Sequence, residues 1–132
     1  MSTHLATSVQ AAIAEIRETF HTAGVDVEAD GQGGARIVVE RAPLGMPYRE
    51  SDTWIGAHLP AQLPYSDVYP LFVRGDLHRL DGAVLTPPLA AGLTFMGRPA
   101  VQISRRSTRV DLACQTPCMK LLKTLHWMRS HK

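Results

Sequence analysis

Apolar residues near the N-terminus recur at three- and four-residue steps: Leu5, Val9, Ile13, Ile16 and Phe20, with Ala12 between them. That period predicts an amphipathic helix over residues 3–23. The opposite face holds Gln10, Arg17 and His21, so the helix packs one side on a sheet. Ser2 or Thr3 is placed to cap its start, and Gly24 to stop it in a left-handed turn. The period then falls to two. Val25 to Asp30 alternates apolar and acidic residues, Gly31 to Gly34 reads as a hairpin turn, and Arg36 to Glu40 is β-rich. A glycine-rich turn also cradles phosphate, but only with amides aimed from a following helix, and here a strand follows. Residues 41–52, with Pro43, Gly45 and Pro47, read as a loop. Thr53 to Leu59 is a third strand, with Trp54, Gly56 and His58 on one face and Ile55, Ala57 and Leu59 on the other. Tyr69 to Arg74 is a fourth. Four consecutive strands with short connections predict an antiparallel meander.

Residues 75–97 lack periodicity, hold Gly82, Pro87, Pro88, Gly92 and Gly97, and read as one long irregular loop. Pro99 to Ser104 returns briefly to an extended conformation. Thr116-Pro117 has the form of an N-cap followed by proline at the first helical position. Behind it, Cys118, Leu121, Leu122, Leu125 and Met128 form the buried stripe of a closing helix, with Lys120, Lys123 and Arg129 outside.

With 132 residues the chain is expected to fold as one α+β domain spanning 1–132, because smaller pieces would bury too little surface. Its 45% hydrophobic and 20% charged content is that of a globular protein. No apolar run approaches the roughly 20 residues of a membrane-spanning helix. The first twenty residues carry Glu15 and Glu18 and no basic leader, so no secretory signal is expected and the cytoplasm is the default. The net charge of +2 hides an asymmetry. From Arg98 onward there are eight Lys/Arg and one acid, Asp111; before it there are six Lys/Arg and eleven acids. Two readings follow: a solvated basic helix over an acidic body, or a docking face for an acidic partner, protein before nucleic acid. Cys114 and Cys118 stand four apart, too short a loop for a disulfide, and read as free thiols in a reducing compartment.

The stretch Leu59 to Val73, LPAQLPYSDVYPLFV, carries a family likeness. Ubiquitin-conjugating (E2/UBC) enzymes leave their third strand through Tyr-Pro, two residues, Pro-Pro and alternating apolar residues. Tyr65 takes the tyrosine position, Ser66 the first proline, Tyr69 and Pro70 the proline pair, and Phe72 an inward apolar position. Proline fixes φ and removes a donor, so such a run makes a rigid corner at a strand entrance. The chain resembles divergent bacterial E2-like proteins, with the related RWD domains as the non-catalytic version of the fold. The resemblance implies an N-terminal helix, a four-stranded meander, a long loop and a C-terminal helix. It also implies partners: an E1-like adenylating protein, a ubiquitin-like protein and a JAB-type isopeptidase, in antiphage-defence-type conjugation. No cofactor and no membrane partner are implied. In E2 enzymes the first helix and nearby loops dock the E1, and the back of the sheet holds the modifier. Helix 3–23 and the Pro60–Pro70 bend become contact surfaces by this likeness. Tyr65, Tyr69, Pro70, Arg98, Arg105, Arg106 and Arg109 are the candidate partner-binding residues.

The chemistry of the family departs here. Its His-Pro-Asn motif is absent after the fourth strand, where only His78 stands, and no cysteine falls near residues 97–104. The expectation is a non-catalytic or atypical E2-like partner. One alternative is an active transferase with a relocated thiol. Cys118, beside a helix N-terminus that lowers thiol pKa, and Cys114 are the candidates, unless Cys118 fills the core. Another is an RWD-like adaptor unrelated to modifiers. Ser104, Arg105, Arg106 and Ser107 with Arg109 suit anion or partner docking rather than catalysis, since no base is nominated for a serine. A zinc set of His58, His78, Cys114 and Cys118 is not expected, because no second ligand pair accompanies the cysteines.

Overall fold

In a computed structural model that describes residues 4–63, 67–105 and 115–130, the N-terminal apolar period folds as helix α1 (Thr7–Thr19). It is shorter than the expected 3–23. Ala6 keeps an extended backbone (φ −57°, ψ 148°), and its carbonyl accepts the Val9 and Gln10 amides with no side-chain cap. Ser2 and Thr3 lie outside the described residues. At the other end the chain leaves the helix at Phe20, and Gly24 does not take the left-handed conformation expected of it.

Among the described residues six strands follow where four were expected: β1 (Val25–Ala29), β2 (Ala35–Pro43), β3 (Asp52–Leu59), β4 (Leu71–Arg74), β5 (Leu89–Phe95) and β6 (Arg98–Ile103). All pairings are antiparallel, in the order β1-β2-β3-β4-β6-β5. β1 to β4 form the expected meander. The correction lies in residues 75–104, where the irregular loop ends at Pro88 and a hairpin begins. β5 escapes a period-two reading because a bulge between Ala90 and Leu93, with Gly92 at φ +85°, breaks its alternation. Met96 (φ 50°) and Gly97 (φ 78°) then make the two-residue turn that suits the twist of a hairpin.

Helix α2 (Pro117–Ser130) closes the chain. The Met119 amide donates to Thr116 Oγ1 at 3.2 Å, so Thr116 caps the helix and Pro117 opens it. Both helices contribute to one core with the inner sheet face. Val9, Ile13 and Ile16 meet Cys118, Leu121 and Leu125 over Ile37, Ile55 and Val101. The α2 stripe is rotated from the expected one: Leu122 is 43% exposed, whereas Lys120 and Thr124 are buried. The cause is an ion pair that draws Lys120 inward, described below. The third-strand faces are as expected, with Ile55, Ala57 and Leu59 in the core and His58 exposed on the other side. Among the described residues no helix is long and apolar enough to cross a membrane.

Candidate functional site

The outer sheet face carries a second apolar cluster of Val38, Phe95 and Ala100, flanked by Trp54, Phe72 and Met96. Its centre is a ring from β5. Phe95 stacks on Phe72 of β4 with centroids 4.5 Å apart and faces Trp54 of β3 at 6.5 Å, so Phe72 points outward and not to the inward position the resemblance implies; Leu71 and Val73 take the inner face. The space for it comes from Gly56, where a Cβ would stand 2.6 Å from the ring. The tip of the β5–β6 hairpin therefore bends back across β4 and β3. Arg98, the first residue after the turn, extends that reach. Its guanidinium donates to Glu40 Oε1 and Oε2 of β2 at 2.9 and 2.6 Å and to Asp26 Oδ2 of β1 at 3.1 Å. It also lies over the Trp54 ring, 5.5 Å from the centroid.

This ion cluster is electrostatically polarised. The hydrogen bonds from Arg98 hold the Glu40 carboxyl down to about 2, with the Asp26 contact adding to the effect. Asp26 is pushed the other way, first by its hydrogen bond with Glu40 and then by burial. Beside the cluster a groove of about 450 Å³ opens between Arg98 and Arg74 with Trp54 in its wall. Arg74 is held in a fork by Asp76 at 2.6 and 2.9 Å and donates to the Asp52 carbonyl at 3.0 Å. The groove thus presents two oriented arginines and three carboxylates, Glu40, Asp52 and Asp76. It has no net excess of positive charge to attract a polyanion.

A second groove, about 460 Å³, lies along residues 77–85 and is lined by Arg49, His78, Arg79 and the apolar Leu77, Val84 and Leu85. His78 is anchored at its mouth: its amide donates to Glu50 Oε1 at 2.8 Å, and Nδ1 stands 3.2 Å from Glu50 Oε2. Burial pushes the Glu50 carboxyl up, but the two His78 bonds outweigh it and leave the group lowered. A carboxylate that orients an imidazole is one half of a general-base arrangement. Among the described residues no serine, threonine or cysteine lines this groove to receive its help.

The bend after β3 is tied down by Lys120. Its Nζ donates to Asp67 Oδ1 and Oδ2 at 3.3 and 3.5 Å and to the Arg105 carbonyl at 3.0 Å, with the lysine 4% exposed. Burial lowers the Lys120 pKa, and Asp67 only partly restores it. Arg105 lies over the Trp127 ring at 5.2 Å. Tyr69 and Pro70, joined by a cis peptide, are half-buried at the same end of the sheet. Tyr65, Arg106, Arg109 and Cys114 lie outside the described residues. The described partner-binding candidates thus fall in two places. Arg98 crosses the outer face in ion pairs, while Tyr69, Pro70 and Arg105 stand at the opposite end of β6.

Cys118 is 2% exposed between α2 and α1. Burial pushes its thiol up, a hydrogen bond with Thr19 opposes this, and the Glu15 charge adds to the rise. The helix N-terminus does not win against desolvation at this position. The possible zinc set is dispersed. His58, on the outer face, contacts Asp30 Oδ2 at 2.7 Å, whereas Cys118 is in the core on the other side of the sheet. Among the described residues no group of three or more His, Cys, Asp or Glu side chains is arranged to hold a metal. In the Gly31–Gly34 turn the Gln32 and Gly34 amides donate to Asp30 Oδ1, so the amides a phosphate would use are occupied. Phe95, Glu40 and the Lys120–Asp67 pair went unread in the sequence. Their only local signal is a Phe-Met-Gly-Arg hairpin turn; the rest depends on residues distant in the chain, 53 positions for Lys120–Asp67 and 58 for Arg98–Glu40. No family model, curated protein or solved structure matches the chain.

Proposed function

We propose that the chain is an E2-like docking component of a ubiquitin-like conjugation pathway that carries no thioester of its own. The observation that carries this reading is the seat of Cys118: buried, with its thiol pushed up, it lacks both access and thiolate character. The order of α1, the β1–β4 meander and α2, with both helices on one face, supports the E2-like framework. On this reading the outer side of α1 and the Pro60–Pro70 bend meet an E1-like adenylating protein. Lys120 ties Asp67, on the described side of that bend, to α2. An antiphage-defence setting, with a ubiquitin-like protein and a JAB-type isopeptidase as further partners, belongs to the same reading.

The test is incubation with an E1-like protein, its ubiquitin-like protein and ATP, followed by a non-reducing gel and gel filtration. The expected result is co-elution without a thiol-sensitive adduct. An adduct abolished by Cys114→Ala would make the chain an active transferase acting through that residue. Absence of both adduct and co-elution would remove the conjugation reading altogether.

A further inference from the structure

Sheet edges expose unpaired backbone groups, and the β1 edge does so beside a groove. The hydrogen bonds at its two ends set the phase. Asp30 N donates to Gly34 O at 3.0 Å, and Glu40 N donates to Gly24 O at 2.8 Å. Within the β1–β2 register, therefore, Asp26 and Glu28 share the ladder with Val38 and Arg36. Val25, Val27 and Ala29 turn their N–H and C=O groups away from the sheet, and among the described residues nothing receives them. These odd residues also send their side chains to the helix side. Val25 packs on the core, whereas Val27 is 36% exposed.

Val27 faces a groove of about 270 Å³ between α1 and β1. The groove is walled by Leu5, Ile13, Ala14 and Val27, with Gln10 and Arg17 at its polar side. The Gln10 amide is spent on the Leu5 carbonyl at 2.7 Å. Arg17 is exposed and has no ion-pair partner among the described residues. The acids of β1 are directed elsewhere, Asp26 to Arg98 and Glu28 to Arg36, both on the outer face. The charge left facing the groove is positive.

A strand laid against β1 would exchange both hydrogen bonds of Val27 with one residue and drop that residue's side chain beside Val27, over Ala14. Such strand addition takes affinity from the main chain and specificity from alternate side chains. The β5 edge offers no equal run, since its bulge at Gly92 breaks the ladder. We infer that the β1 edge and the α1–β1 groove form a strand-addition site for an extended peptide segment of a partner protein. One apolar side chain of that segment sits beside Val27, and an acidic side chain meets Arg17. This inference stands independently of the conjugation reading, because it uses only edge amides, groove shape and charge.

The experiment is selection of a random dodecamer library displayed on phage against the full chain, with Val27→Pro as the counter-target. Proline at 27 removes an outward amide and no ladder bond, so the sheet is kept. Arg17→Glu and Ala14→Lys, both on the exposed side of α1, serve as a second pair. The expected result is enriched peptides with one apolar anchor and a nearby acid. Their affinity should fall about tenfold in Val27→Pro and about tenfold in Arg17→Glu. Amide exchange at Val25, Val27 and Ala29 should slow in the complex. No enrichment over the counter-target, or slowed exchange confined to other strands, would overturn the inference. Concentration-dependent dimers lost in Val27→Pro would also overturn it, by making a second copy of the chain the occupant.

Discussion

At Gly56 the absence of a side chain is a packing requirement. A Cβ there would lie 2.6 and 2.8 Å from two Phe95 ring carbons and 3.2 Å from the Ile37 carbonyl. Phe95 has little freedom to retreat, because Phe72 stacks on it at 4.5 Å. Gly56→Ala is expected to cost about 1–3 kcal/mol by overpacking. Combined with Phe95→Ala it should cost less than the sum of the single changes, as read by thermal unfolding; strict additivity would show that the two positions do not touch. Cys118 is the opposite case, a chemically capable side chain in a disabling place. In a Cys114→Ser background, iodoacetamide at neutral pH should modify the folded protein far more slowly than the denaturant-unfolded one. Equal rates would mean an open thiol, contrary to its burial and raised pKa.

Among the elements, those with an unbroken period were legible from residue types alone. α1 follows the Val9, Ile13 and Ile16 part of its apolar stripe, and β3 separates Ile55, Ala57 and Leu59 from Trp54 and His58. The β5–β6 hairpin was not legible, because LAAGLTF has small residues, a bulge and a burial pattern with five exposed positions between two buried ends. The phase of α2 was misjudged for another reason: a lysine on its inner side is decided by a partner 53 residues away. The same distance hid the Arg98–Glu40 contact, and with it the outer-face cluster. That lysine supplies a prediction at this scale. Lys120→Met leaves Asp67 and the Arg105 carbonyl without their shared donor and is expected to cost about 3 kcal/mol. Adding Asp67→Leu should recover part of that loss, since the carboxylate that faced the lysine goes with it. A double-mutant cycle by urea unfolding measures the coupling, and a coupling near zero would mean that the pair does not hold α2 to the bend.

Across the whole molecule the hairpin tip is a strap. From β6 the Arg98 side chain reaches Trp54 of β3, Glu40 of β2 and Asp26 of β1, so four of the six described strands are tied by one guanidinium. The strap covers part of the outer face, including Phe72, Val38 and the Gly56 notch, and this narrows any surface left there for a protein partner. Its strength depends on pH, and the sign follows from the two carboxyls. Glu40 is held down to about 2, so its contribution is complete above its unfolded value near 4.5 and disappears as pH falls through about 2. Asp26 is raised, so the folded state takes up its proton more readily and acidification at first favours the fold. Glu40→Gln should therefore destabilise the protein at pH 7 by about 1 kcal/mol, the scale of an ion pair whose members are about a third exposed. The difference from wild type should hold down to the unfolded Glu40 value near 4.5 and then close toward pH 2. Denaturant unfolding at matched pH values, with Trp54 emission followed in a Trp127→Phe background, reads both the stability and the seat of the strap. A difference independent of pH would show that the Glu40 carboxylate is not what Arg98 holds.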